Sequence, residues 1–269
     1  MNRLRAALIL ALSIAGVAPG AACDADAPCT IGERTYQVAL PEGEGPHPAV
    51  MLLHGFGGSG AGILRMRGTV EAFRAAGWAV VAPDGLPREG GNGRRWSFRD
   101  EAGLADDDFL RAVRDDLGRH GIDEARIVLS GFSNGAFQVA YLACRDPGAF
   151  AFYAPVAGGF WRPHPDACAG PVRLLQTHGW ADSTVPLEGR PLRGGTWVQG
   201  DVFEGLALFR RANGCTWDAP SSYGTEGRYQ LRRWDCDEGA ALEMALHPGG
   251  HGIPAGWADL LLGWVARTE

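Results

Sequence analysis

Ile127-Val128-Leu129-Ser130-Gly131-Phe132-Ser133-Asn134-Gly135-Ala136 is the stretch on which the reading of this chain turns. The apolar run Ile127 to Leu129 reads as a strand, and Ala136 to Cys144 has the character of a helix. Between them lies Gly-x-Ser-x-Gly, from Gly131 to Gly135, the pattern of a strand-to-helix elbow that presents a nucleophilic serine. A turn this tight requires flanking positions without side chains and holds the serine in a strained conformation. A chain with 40 glycines produces such a pentapeptide by chance. Its place between strand and helix gives it meaning.

A serine hydroxyl is a poor nucleophile at neutral pH and needs an adjacent imidazole to take its proton. The partners of an elbow serine follow it in the order acid, then histidine. After Ser133 comes a predicted strand, Val172 to Thr177, leading into His178-Gly179-Trp180-Ala181-Asp182. A carboxylate just past a strand end sits at the sheet edge where ligands of α/β proteins bind, which makes Asp182 the candidate acid. Further on, the strand from Ala240 to Ala245 runs into His247-Pro248-Gly249-Gly250-His251-Gly252-Ile253-Pro254. Flanking glycines let that loop fold over the serine, with His251 as the base. His247 and His251 are four apart, a metal-ligand spacing only on a helix. Pro248 and two glycines forbid the helix, so no metal is expected and His247 reads as structural.

The remaining requirement is an oxyanion hole. The apolar strand Ala49 to Leu53 ends in His54-Gly55-Phe56-Gly57-Gly58, a glycine-rich turn of the kind that supplies one backbone N–H while the residue after the serine supplies the other. The donors are assigned to Phe56 and Asn134.

With these pieces in order, the chain resembles secreted esterases of the polyhydroxybutyrate depolymerase and feruloyl esterase family. The resemblance runs through most of the expected mature protein. It rests on the His54-Gly55 loop, Asp107 to Leu110, Gly121 to Arg126, the elbow, Phe150-Ala151 with Ala154 to Gly158, His178-Gly179 with Asp182 and Val185-Pro186, and Gly249 to His251 with Pro254. It implies an α/β-hydrolase fold, a doubly wound and mostly parallel sheet in a single domain. It also implies hydrolysis of an ester through an acyl-enzyme on Ser133, without cofactor or metal. The substrate expected is a hydroxyalkanoate polyester or oligomer of the 3-hydroxybutyrate type. Feruloyl or acetyl esters of plant polysaccharide are the alternative, and an acyltransferase on the same chemistry is a further one. Three departures bear on the substrate: Phe56 where the family often has cysteine, Ile253 where it often has tryptophan, and Ala136 where a second glycine is common. Trp161 and Trp180, on loops near the catalytic edge, and Ile253 are candidate pocket residues.

Composition agrees. A chain of 269 residues, 46% hydrophobic, suffices for one sizeable core. Arg3 and Arg5, the apolar run Ala6 to Val17, and Gly20-Ala21-Ala22 predict a signal peptide over residues 1–22, leaving 23–269 as the esterase domain. That implies a periplasmic or extracellular address. Cys23 directly after Ala22 resembles a lipoprotein site, but Gly20 stands where leucine is expected. Losing two arginines with the peptide moves the formal charge from −6 to −8, which argues against nucleic acid and anionic membranes as partners. No integral membrane segment is expected after that removal.

Six cysteines in an exported chain suggest disulfides and allow fifteen pairings. Cys23 and Cys29 are near neighbours, the family resemblance implies Cys215 with Cys236, which flank a Trp/Gly/Ser-rich loop, and Cys144 and Cys168 remain. Elsewhere Arg34 to Leu40 alternates like an exposed strand, Ile63 to Ala76 reads as a helix, and Trp78 to Ala82 as a strand. Leu86 to Trp96 reads as a long loop with Arg94 and Arg95 solvated, and Asp106 to His120 as a helix whose three leading carboxylates meet its dipole. Phe152 to Val156 is a further strand, and helices are predicted over Asp201 to Ala212 and Ala255 to Arg267. Alternation of strands and helices predicts a largely parallel sheet.

Overall fold

The computed structural model describes residues 23, 24 and 26–269, so the expected signal peptide at 1–22 lies outside the described residues. Ten strands build one sheet: β1 (Cys29–Ile31), β2 (Arg34–Ala39), β3 (His47–Leu53), β4 (Ala79–Pro83), β5 (Ile122–Phe132), β6 (Phe152–Val156), β7 (Arg173–Gly179), β8 (Ser222–Glu226), β9 (Tyr229–Trp234) and β10 (Ala241–His247). Their spatial order is β1-β2-β4-β3-β5-β6-β7-β10-β9-β8. The six central strands, from β4 to β10, pair in parallel. Antiparallel strands complete both edges. Every residue of β4 and β6 is buried, as expected where helices cover both faces of a parallel sheet.

Six helices supply that cover: α1 (Gly60–Leu64), α2 (Arg67–Ala75), α3 (Asp100–Asp116), α4 (Asn134–Arg145), α5 (Val202–Ala212) and α6 (Trp257–Thr268). Ile63, Val70 and Phe73 of the first two join Trp257, Leu261 and Trp264 of α6 in one core. Leu110 and Val113 of α3, Phe137 and Leu142 of α4, and Leu206 and Phe209 of α5 fill the other. The result is a doubly wound sheet in a single domain.

Three local readings are corrected. The helix predicted over Ile63 to Ala76 is broken at Met66 into α1 and α2, each started separately. α3 begins at Asp100, so Asp106 and Asp107 lie in its middle and are buried rather than meeting a helix N-terminus. The segment between Cys215 and Cys236, expected as a loop, holds the hairpin β8–β9. Edge strand β8 has no buried residue, so no apolar alternation marks it. The cysteines pair as Cys23–Cys29, Cys144–Cys168 and Cys215–Cys236.

Candidate active site

Strand β5 runs straight into α4, and Ser133 stands at the joint with φ 55° and ψ −113°. This backbone is one an L-residue seldom adopts and costs roughly 1–3 kcal/mol. Two glycines make it possible. A Cβ on Gly131 would come within 2.5 Å of the Gly135 carbonyl carbon, and one on Gly135 within 2.6 Å of the Leu53 oxygen. The Ser133 N–H donates to the Val156 carbonyl at 2.9 Å, which ties the elbow to the neighbouring strand.

Ser133 Oγ lies 2.9 Å from His251 Nε2, and His251 Nδ1 lies 2.7 Å from Asp182 Oδ2. With Nδ1–H donated to the carboxylate, the free Nε2 faces the serine hydroxyl as an acceptor. The second oxygen of Asp182 accepts the N–H groups of Thr184 and Val185, both at 2.8 Å, so the carboxylate cannot swing away. Beneath it, buried His178 donates Nε2–H to the Val185 carbonyl at 2.8 Å and closes the same turn. Burial keeps the His178 imidazole below its ordinary pKa, which favours its neutral form. The acid and base loops are stitched together. Trp180 N–H donates to the His247 carbonyl at 3.0 Å and Ala181 N–H to the Gly249 carbonyl at 3.2 Å.

The turn after β3 lies alongside the elbow, where a Cβ on Gly55 would meet the Ser133 Cβ at 3.5 Å. Phe56 itself is 60% exposed, its ring 4.2 Å beneath the guanidinium of Arg88. Asn134 begins α4, whose first N–H groups have no helical acceptors. Ile253 lines a depression with His251, and Trp180, on the loop that carries Asp182, is 47% exposed. Trp161 packs on Phe137 and Trp197, at ring distances of 5.5 and 5.7 Å. Such a hydrogen-bonded serine, imidazole and carboxylate can transfer a proton off the hydroxyl and return it to a leaving group.

Residues 35–192 match the family described as phospholipase/carboxylesterase, more than half of the chain. The chain belongs to this family. A protein of Nocardia uniformis subsp. tsuyamanensis, NocK, named as an esterase, is 36% identical over 159 residues. That stretch spans 56% of this chain and 44% of NocK, so the chain aligns with less than half of that relative. Among solved structures, an acetyl xylan esterase from Aspergillus awamori superposes with a TM-score of 0.65 at 16% identity, covering 87% of this chain and 94% of that one. A carboxylesterase from Bacillus cereus gives 0.61 at 17% identity, with 88% and 96% covered. At these identities the two structures speak for the α/β-hydrolase fold alone.

Around the serine this phospholipase/carboxylesterase family member carries a set of clamps that its sequence does not advertise. The His54 ring donates Nδ1–H to the Gly55 carbonyl at 2.8 Å and accepts the Gly85 N–H on Nε2 at 3.0 Å. Burial holds His54 below its ordinary pKa. The Gly57 N–H donates to the Arg94 carbonyl at 2.8 Å, and the Arg94 N–H returns a bond to the Gly58 carbonyl at 3.1 Å. Arg94, expected on a solvated loop, ion-pairs with Asp84 at 3.3 Å. Burial would push the Asp84 carboxyl up, but bonds from Thr35, Gly60 and Gln37 outweigh it and hold it below the usual range.

The Asn134 side chain reaches outward, its oxygen accepting the Trp96 N–H at 2.7 Å and its nitrogen donating to the Trp96 carbonyl at 3.0 Å. Four residues on, Gln138 accepts the Phe98 N–H at 2.9 Å and donates to Asp107 at 2.6 Å. Asp107 also binds Arg145, and burial raises its carboxyl to about 6 in spite of that cation. These are the buried carboxylates that sequence reading assigned to a helix end. The i, i+4 spacing of Asn134 and Gln138 on the elbow helix was the available signal.

Proposed function

We propose that the protein is an exported serine ester hydrolase acting through an acyl-enzyme. The observation that carries this reading is the unbroken relay from Ser133 Oγ through His251 to Asp182 at 2.9 and 2.7 Å, on an elbow with φ 55°. Ser133 attacks the ester carbonyl while His251 takes its proton. Asp182 holds the ring's tautomer and steadies the imidazolium. The N–H groups of Phe56 and Asn134 receive the oxyanion, each worth about 3 kcal/mol in the transition state. His251 then returns its proton to the leaving alcohol, and water releases the acid.

Export is supported by three disulfides, which persist in oxidising compartments. The Cys23 sulfur is bonded to Cys29 and so is not free to carry a thioether lipid. The substrate favoured by the sequence resemblance is an ester of a short hydroxyalkanoate, of the 3-hydroxybutyrate type. A feruloyl or acetyl ester is the second reading, and the exposed ring of Trp180 beside the acid loop favours it. The test is release of 3-hydroxybutyrate from its oligomers by wild type beside Ser133→Ala. Release by wild type alone is expected. Cleavage of a short aryl ester without such release moves the substrate to the second reading, and wild-type turnover by Ser133→Ala removes the nucleophile.

A further inference from the structure

A depression of about 310 Å³ opens beside the histidine loop, lined by His247, Gly250, His251, Ile253, Pro254 and Arg228. Arg228 comes from the tip of the hairpin between β8 and β9, the segment with no legible sequence signature. Its guanidinium is exposed and, among the described residues, has no ion-pair partner. Neighbouring Glu226 is engaged by Arg267 at 3.4 Å. In the same wall His247 is 3% exposed. Its Nδ1 accepts the Gly249 N–H at 3.1 Å, so a neutral ring carries its proton on Nε2, a buried donor without a partner among the described residues. A cation and an unanswered N–H in one concave wall suit an anionic oxygen.

The position of this wall gives that anion a place in the reaction. The group that protonates the departing oxygen is His251, so the alcohol half of an ester leaves beside the histidine loop. We propose that this depression is a carboxylate subsite for the leaving group, with Arg228 as the specificity-determining residue that selects esters whose alcohol portion bears a carboxylate. The inference rests on the ester-hydrolase reading above and deepens it. Ser133 Oγ forms a bond to the acyl carbon, and the bond from that carbon to the alcohol oxygen breaks. The proton taken from Ser133 passes through His251 to the departing oxygen, and a free hydroxycarboxylate leaves. On an oligomer of hydroxyacids this geometry favours the ester bond nearest the free carboxyl end and releases monomers.

The test compares 3-acetoxybutyrate with its neutral amide, 3-acetoxybutyramide, which share acyl group and reacting bond. Hydrolysis of a neutral aryl acetate by wild type is measured alongside, and its absence overturns the hydrolase reading together with this inference. Wild type is expected to prefer the anionic ester. In Arg228→Gln the ratio of kcat/KM for anionic over neutral ester should fall roughly fivefold or more, chiefly through KM, since a charge-assisted bond is lost. Arg228→Lys should restore part of the ratio. An aryl acetate turned over with equal anionic-to-neutral ratios in wild type and Arg228→Gln, or a wild type that prefers the amide, overturns the subsite while leaving the hydrolase standing.

Discussion

Ser133 adopts φ 55° because Gly131 and Gly135 let two strands and a helix start converge on it. Alanine in its place keeps that strain, whereas glycine tolerates positive φ. Ser133→Gly should therefore be more stable than Ser133→Ala by about 1 kcal/mol, the strain relieved less the greater backbone entropy glycine loses on folding. Both should be inactive. Denaturant titration of the two variants measures the difference, and equal midpoints would mean that the elbow stores no strain. Asp182 acts on a second atom of the same relay. In Asp182→Asn the side chain still has an oxygen for Thr184 and Val185 N–H, which bind Oδ1 at 2.8 Å. Its amide nitrogen would then face His251 and favour the wrong tautomer. The expected loss in kcat is on the order of 10³–10⁴ with the fold intact. A loss below tenfold would move the acid role elsewhere.

Between elements, the stability of the site depends on how the loop from Arg94 to Arg99 is fastened to α4. Asn134 holds both polar groups of the Trp96 backbone, so Asn134→Ala leaves a buried N–H and carbonyl unanswered. A loss of about 2–4 kcal/mol is expected, each orphaned group costing about 1–3. The backbone N–H at 134 survives the change, so activity should fall by about ten- to a hundredfold through loop displacement, far less than in Ser133→Ala. Thermal melts and initial rates on one aryl ester separate the two effects, and an unchanged melting point would show that the amide pair contributes nothing. The same clamps explain what could be read in advance. Ser133, Asp182 and His251 are legible because chemistry fixes their type, order and flanking glycines. Arg94 and Asp107 are not, because an arginine in a glycine-rich stretch and an aspartate in a charged helix have the composition of solvated residues. Only their partners, Asp84 and Arg145, turn them inward. The hairpin carrying Arg228 escaped for the complementary reason, since an exposed edge strand buries too little to leave a period.

Across the whole molecule the pH response follows from histidines that the fold keeps neutral. All 25 cations other than histidine are arginines, which do not titrate, and the six cysteines are bonded. Histidine is therefore the side chain that changes charge between pH 6 and 8, roughly. His54 and His178 are the most deeply buried of those whose pKa burial lowers. His54 must also stay unprotonated on Nε2 to accept the Gly85 N–H. A lowered folded pKa means that below about 6.5 the unfolded chain binds more protons than the native one, so stability declines as pH falls. Each fully shifted histidine contributes up to about 1.4 kcal/mol per pH unit in that window. Asp107 works in the opposite direction, because a carboxyl raised to about 6 favours the native state on protonation. Its effect is confined to the range from about 4, the unfolded value, up to that pKa, so the histidines dominate above it. The urea midpoint should therefore drop between pH 7.5 and 6.0, and His178→Asn should flatten that slope even where it lowers stability at every pH. A midpoint constant across the range, or a slope untouched in His178→Asn, would mean that these imidazoles are not held neutral. Because His54 and His178 fasten the turns that carry Phe56 and Asp182, acid should weaken the fold and the site through the same two rings.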